Sequence, residues 1–163
     1  MLQASDEYKV KAAFLFNFAR YVKWPKDTLG DPKTPFVVAV VGKNPFGKGL
    51  EDAFRDRSID DRPLSVKHFA DRGALADCNM LFIPQGEEAN LEAIRAHYAD
   101  RPVLLIAESI AAAQRGAQIG FYIEKSKVRF AINGEAAKRA ELEVSSELMK
   151  LAKIVRAEAL EQR

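Results

Sequence analysis

The glycine-rich segment Gly42–Gly49 is the first candidate for chemistry, because it follows an apolar run and precedes a plausible helix. It matches most of a P-loop, in which backbone N–H groups cradle phosphates and a lysine reaches them. Lys48 stands where that lysine is needed, but Gly49 replaces the Ser or Thr that would hold magnesium. Pro45 also removes one backbone donor. We therefore expect a structural turn here, with an enzyme acting on a nucleotide as the alternative.

The remaining acids and histidines form no recognisable catalytic group. A phosphoacceptor site would need clustered acids at the strand ends, where Gly42, Pro84 and Glu108 supply a single carboxylate. His68 and His97 are the only histidines in the chain, too few for a His-rich metal site. We expect neither residue to act in catalysis.

The sulfhydryl and hydroxyl groups also favour structural roles. Cys78 is the only cysteine, which excludes an internal disulfide and a cysteine-based zinc cage. No cation flanks it, and Asp77 beside it would raise the pKa of the thiol, so we expect it to be inert. Ser145 and Ser146 are typical of a helix N-cap and lack a nucleophile-elbow pattern. The sequence thus predicts no catalytic residues, no metal site and no cofactor.

Length and charge exclude several classes of protein. A chain of 163 residues can bury its own core, so we expect one domain spanning residues 1–163. Its 25 basic and 23 acidic residues are interspersed, which argues against a nucleic-acid surface or a membrane-binding basic patch. No apolar run approaches the ~20 residues of a membrane-spanning helix. Residues 1–5 could be the remnant of a signal-cleavage site or an added start, which indicates export, and a natural cytoplasmic start is the alternative.

Hydrophobic patterning predicts an α/β fold with a mostly parallel, Rossmann-like sheet flanked by helices. Strands are expected at residues 36–41, 64–69, 80–83 and 103–107. Helical segments are expected between them at residues 47–57, 71–76, 87–99 and up to Gly116. Two further runs, 119–124 and 127–132, predict an antiparallel hairpin on the sheet edge. Terminal helices are expected from Ser5 or Asp6 to Lys23 and from Ser145 to Glu161.

The first of these helices is apolar around most of its circumference, so it must be covered on more than one side. Lys11 and Asn17 lie within the apolar arc, and each needs a hydrogen-bonding partner if it is buried. Trp24, at the end of the helix, is expected to be buried. Phe16 falls in the basic arc, where it is a candidate exposed aromatic, and packing under the Trp24–Pro25 loop is the alternative.

The closing helix supplies the other candidates for a contact surface. Its core stripe is predicted to consist of Leu148, Leu151, Ala152, Val155 and Ala159. Met149, Ile154 and Leu160 fall on its solvent arcs, and apolar residues grouped there can form a docking face. With Phe16, they are the predicted partner-binding residues, and we expect the protein to form a homodimer through these helices.

Three segments, in this order, resemble the YfiR family of periplasmic proteins. The first is the helix from Tyr8 to Trp24-Pro25, and the second is the Gly-x-x-Pro-Phe-Gly turn from Gly42 to Gly47. The third is Val128–Asn133, followed by Ala136-Ala137 and by the segment from Ser146 to Ala152. Together they span nearly the whole chain.

The resemblance implies a periplasmic α/β domain that dimerises and has no catalytic activity. It implies binding to the periplasmic domain of an inner-membrane diguanylate cyclase of YfiN type, which is thereby held inactive. Cyclic di-GMP output and biofilm formation would fall, and an outer-membrane lipoprotein would relieve the repression. Related domains also serve as sensory modules of other receptors. The alternative is therefore a periplasmic small-ligand-binding sensory module, with a pocket lined by Phe or Tyr as its default site.

Overall fold

The computed structural model describes residues 3–157. Its helices are α1 Ala4–Tyr21, α2 Gly49–Phe54, α3 Leu91–His97, α4 Ile110–Gln114, α5 Gly134–Arg139 and α6 Ser146–Leu151. Its strands are β1 Val22–Lys23, β2 Phe36–Val41, β3 Ser58–Ile59, β4 Arg62–Phe69, β5 Met80–Phe82, β6 Leu104–Ala107, β7 Ile119–Glu124, β8 Lys127–Asn133, β9 Glu143–Val144 and β10 Lys153–Val155. Short 3-10 turns lie at Lys26–Thr28, Arg72–Ala74 and Gln85–Asn90.

Eight of the strands form one sheet in the order β10-β8-β7-β6-β5-β2-β4-β3. The central strands β4, β2, β5, β6 and β7 are mutually parallel, and helices or turns connect them. This is the predicted α/β architecture. The continuous apolar runs become its central strands because a strand between two helical layers is buried on both faces.

The two faces of the sheet carry separate cores. One face packs against α1, α2 and α6 through a large aromatic cluster that includes Phe18, Phe82 and Phe121. The other face packs against α3 and α4 through smaller side chains such as Leu91 and Ala112. The expected coverage of α1 on more than one side is confirmed, because α2 and α6 contact it in addition to the sheet.

Trp24 closes α1 as predicted. It is 7% exposed, and its ring lies edge-on to Phe36 with a centroid separation of 4.9 Å. Its indole N–H donates to the carbonyl oxygen of Asn79 at 3.2 Å. Helix α1 itself ends at Tyr21, two residues before the predicted end, because Val22 and Lys23 pair with β9 in a small antiparallel ladder.

The predicted closing helix is wrong over residues 152–157, and its remaining residues 158–161 lie outside the described part of the chain. Helix α6 stops at Leu151, and Lys153–Val155 form β10, which pairs in parallel with Ala131–Asn133 of β8. The β7–β8 hairpin is confirmed, but it lies one strand in from the edge that was predicted for it. Both corrections have one physical cause. The backbone groups of β8 were left without partners, and the following segment supplies them.

Candidate partner-binding surface

Side chains of this protein occupy part of the crevice where an open α/β sheet usually binds ligands. That crevice lies at the carboxyl ends of the strands where strand order reverses, here between β2 and β5. Phe46, from the Gly42–Gly49 loop, is buried there, with ring centroids 4.9 Å from Phe82 and 5.4 Å from Tyr8. The Glu87 side chain lies directly over Gly42. The loop therefore serves as a structural turn that carries an aromatic plug.

A buried charge cluster ties the start of α1 to the same end of the sheet. Lys11 is only 3% exposed, and its Nζ lies 2.6 Å from Glu108 Oε2 and 2.5 Å from Glu7 Oε2. The Tyr8 hydroxyl donates to Glu108 at 2.7 Å, and the Gln85 N–H donates to it at 2.9 Å. Burial, followed by the adjacent Glu108 carboxylate, raises the pKa of Tyr8. Glu7 and Glu108 are thus the hydrogen-bonding partners expected for a buried Lys11.

Cys78 has the raised pKa expected of it, but for a different reason. Burial raises the pKa of its thiol to about 11, against smaller opposing effects of the Tyr98 hydroxyl and Lys67. The shift was expected to come from the neighbouring Asp77. The Asp77 carboxylate instead forms an ion pair with Arg101. The thiol is protonated at physiological pH and is a poor nucleophile.

The two histidines have separate surroundings, and neither contacts the charge cluster of Lys11 and Glu108. His68 is partly exposed on β4, with Nε2 3.6 Å from Glu51 Oε1. The ring of His97 lies edge-on to Tyr98, 4.6 Å between centroids. Among residues 3–157, no three His, Cys, Asp or Glu side chains are grouped as metal ligands.

The expectation that Phe16 is exposed is wrong. It is 9% exposed, with its ring centroid 6.0 Å from that of Phe54 on α2. The guanidinium of Arg57 lies over the ring at 4.6 Å, and that of Arg20 lies at 5.8 Å. A helical wheel places Phe16 away from the sheet, but α2 and Arg57 cover that side of α1. Its alternative position, under the Trp24–Pro25 loop, is not where these contacts place it.

The other three predicted contact residues have different surroundings. Met149 is half-buried on α6 and packs against the main core. Ile154 is 53% exposed, but it lies on β10 rather than on a helix. Leu160 lies outside the described residues. The predicted set therefore does not occupy one helical face.

The prediction that Leu151 belongs to the core is also wrong. It was placed in a core stripe, yet it is 69% exposed at the end of α6. With Met149 and Ile154 it lies where α6 runs into β10, at the edge of the sheet. We call these three residues the edge patch. The sequence did not reveal this patch, because its apolar residues have the spacing of a buried helical face. The helix ends at Leu151 and the chain continues as a strand, which leaves the Leu151 side chain exposed.

A second pair of exposed apolar residues lies near the tip of the hairpin. Val10 precedes Phe14 by one helical turn, and Phe14 packs on Phe121 of β7 and Phe130 of β8. Ile123 follows Phe121 on the same face of β7 and is 45% exposed. These residues are exposed but lie beyond the edge patch, at the opposite end of the hairpin from the β8 residues that pair with β10.

Comparison with known protein families matches most of this fold to one family. The family model described as YfiR/HmsC-like matches residues 8–153, from the first helix to the start of β10. The chain belongs to the YfiR/HmsC-like family. No curated protein shows a significant match to the chain.

Membership in the YfiR/HmsC-like family indicates a periplasmic regulator of diguanylate cyclase signalling, and the family is regulatory rather than catalytic. Within the part of the chain that the structure covers, no helix is both long enough and apolar enough to cross a membrane.

Proposed function

We propose that this protein binds the periplasmic domain of an inner-membrane diguanylate cyclase of YfiN type, holds the enzyme inactive and so lowers cyclic di-GMP output. The observation that carries the proposal is the family match over residues 8–153. The buried Phe46 ring at the carboxyl ends of β2 and β5 also supports it, because that ring occupies part of the crevice in which a substrate would otherwise bind.

The edge patch is the surface we assign to the partner. Large apolar side chains that remain exposed can act as anchors at the centre of a protein–protein interface. Leu151 and Ile154 are the two most exposed of the large hydrophobic residues in the described chain. Leu160, predicted from the sequence, stays in the proposal as a residue that follows this patch in the chain. Phe16 is withdrawn because α2 and Arg57 cover it.

The protein is further proposed to act as a homodimer. Among the strands of residues 3–157, β10 is the outermost on its side of the sheet, and the backbone groups along such an edge can pair with another chain. Because β10 is only three residues long, side-chain contacts outside the edge patch would have to contribute most of the binding free energy of the dimer.

The test compares Leu151→Glu and Ile154→Glu with Ile123→Glu, a matched substitution of an exposed apolar residue at the hairpin tip. Co-expression with the cyclase should show cyclic di-GMP held low by wild type and Ile123→Glu, and released by the two edge-patch variants. All three should unfold like wild type, since exposed positions usually change stability by about 0.5 kcal/mol or less. Equal repression by all three variants would remove the edge patch from the proposal.

Sedimentation separates self-association from partner binding. Wild type is expected to run as a dimer alone and to bind the isolated periplasmic domain of the cyclase. Loss of the dimer with retained cyclase binding would assign the edge patch to self-association, against its proposed assignment to the partner. Wild-type protein that runs as a monomer would contradict the homodimer.

A further inference from the structure

A group of arginines surrounds a cavity on the face of the sheet that carries α3 and α4. Arg95 belongs to α3, Arg115 follows α4, and Arg139 ends α5. All three line one cavity of about 450 Å³, together with Gly116. A smaller cavity of about 190 Å³ adjoins it and shares Arg95, Gly116 and Arg139 as its wall. We call Arg95, Arg115, Gly116 and Arg139 the arginine pocket.

The charge in this pocket is poorly compensated. Glu92 is the one carboxylate in the lining of the larger cavity, and it lies 3.4 Å from the guanidinium of Arg95. Arg115 makes a single long contact, 3.5 Å, with the carbonyl oxygen of Glu88. Among residues 3–157, no carboxylate lies within ion-pair distance of Arg139. Among the described residues that line the larger cavity, three cations and one anion leave a surplus of two positive charges, whose mutual repulsion an anion would relieve.

The geometry of Arg95 is set by Gly116. A Cβ atom at that position would lie 2.4 Å from the Cζ atom of Arg95, so the guanidinium rests against the bare backbone. Gly116 also has a φ of +118°, which a residue with a side chain rarely adopts. The turn after α4 thus both admits and orients one of the three guanidinium groups.

The floor of the smaller cavity adds a neutral donor. Gln118 is buried, and its Oε1 accepts a 2.6 Å hydrogen bond from the N–H of Leu105. This bond orients the side chain, and within the described residues the Nε2 group makes a single long contact, 3.5 Å, with the carbonyl oxygen of Ala136.

We propose that the arginine pocket binds the phosphate group of a small soluble molecule. Guanidinium forks pair well with phosphate oxygens, and three forks from three helices can surround a tetrahedral group. A dianion matches the surplus of two charges, whereas a carboxylate would leave one uncompensated. The concave shape and the volume suit a small ligand better than a flat membrane or a protein surface. This proposal does not rest on the proposed function.

The experiment titrates the protein with sodium phosphate, sodium acetate and sodium chloride at matched ionic strength, following binding by calorimetry and by the shift in melting temperature. Phosphate should bind, and should raise the melting temperature more than acetate or chloride does. Arg115→Gln and Arg139→Gln should each weaken phosphate binding about tenfold or more. Arg72→Gln, at an exposed arginine that does not line the pocket, is the matched control and should bind like wild type. Equal responses to the three salts, or equal responses in all variants, would overturn the proposal.

Two further measurements complete the test. One asks whether acidic residues after Ala157 compete with phosphate for the pocket, and the other asks which kind of phosphate-bearing molecule binds. Glu158 and Glu161 follow the pocket-lining residue Ala157 in the sequence, so each titration is repeated in a Glu158→Gln/Glu161→Gln background. Absence of a phosphate response in both backgrounds would refute the site. A nucleoside monophosphate should compete with inorganic phosphate. The protein is also sedimented with phosphatidylglycerol vesicles. Vesicle binding that requires the pocket arginines, and that free phosphate does not reverse, would contradict a small soluble ligand.

Discussion

Replacing Lys11 by methionine should be among the most destabilising single changes in α1. Its ammonium group is buried against Glu108, whose side chain is only 6% exposed. Methionine keeps much of the aliphatic length but leaves that carboxylate with only the Tyr8 hydroxyl and the Gln85 N–H as donors. Removing one member of a buried ion pair costs about 3–5 kcal/mol.

The reciprocal change, Glu108→Gln, should cost less, about 1.5–3 kcal/mol, the range for a hydrogen bond to a charged group. Lys11 then still has Glu7, 2.5 Å away and partly solvated, so its charge keeps a partner. In the double variant neither a buried cation nor the Glu108 carboxylate remains. Its loss of stability should fall short of the sum of the single losses by about 1–3 kcal/mol.

Urea unfolding followed by the fluorescence of Trp24, the single tryptophan, measures all four proteins. Lys9→Met, an exposed position on the same helix, is the control and should stay within about 0.5 kcal/mol of wild type. The reasoning fails if Lys11→Met behaves like Lys9→Met, or if the two single losses simply add.

Three other predictions concern a buried ring, a turn and a thiol. Trp24→Ala should destabilise the protein by about 3–5 kcal/mol, measured by circular dichroism, because its ring packs on Phe36 in the core; a loss below about 1 kcal/mol would contradict this. Replacing Lys125-Ser126 by Asn-Gly should stabilise by about 1 kcal/mol in the same assay, since both residues have positive φ, 52° and 62°, in a two-residue hairpin turn. Cys78, with its pKa raised to about 11, should carry about one thiolate in a thousand at pH 8 against about one in four for a free cysteine. Alkylation by iodoacetamide should therefore be roughly 250-fold slower in native than in urea-unfolded protein, and equal rates would show that the native thiol ionises like a free one.

The sheet was predictable from the sequence because its central strands carry a strong local signal. The runs at Phe36–Val41, Met80–Phe82 and Leu104–Ala107 are apolar at every position, which only a strand covered on both faces requires. The hairpin was predictable for a similar reason, since two alternating runs flank a two-residue break.

The closing segment was not predictable in the same way. Leu148, Leu151 and Val155 have a spacing that a helix would place on one face, and Lys153–Val155 is too short for alternation to argue against it. What decides its conformation is the unpaired side of β8, which the local sequence does not report.

The buried cluster was half predictable. The helical wheel showed that Lys11 would need a partner, but Glu108 lies 97 residues away along the chain, and the sequence alone does not identify it. Phe16 failed for the opposite reason. The wheel located the sheet correctly, yet it carries no information about a second helix packed on the far side.

The short strand β10 has a consequence for how the chain behaves as it is made. Until Lys153–Val155 have emerged, the border of the growing sheet is β8, a seven-residue strand. A border of that length can template addition of strands from neighbouring chains, whereas a three-residue border offers little to copy. A chain interrupted just after Leu151 would keep nearly all of its core and still be prone to aggregate. We therefore expect that a chain shortened to exclude β10 would aggregate more readily than one that retains it.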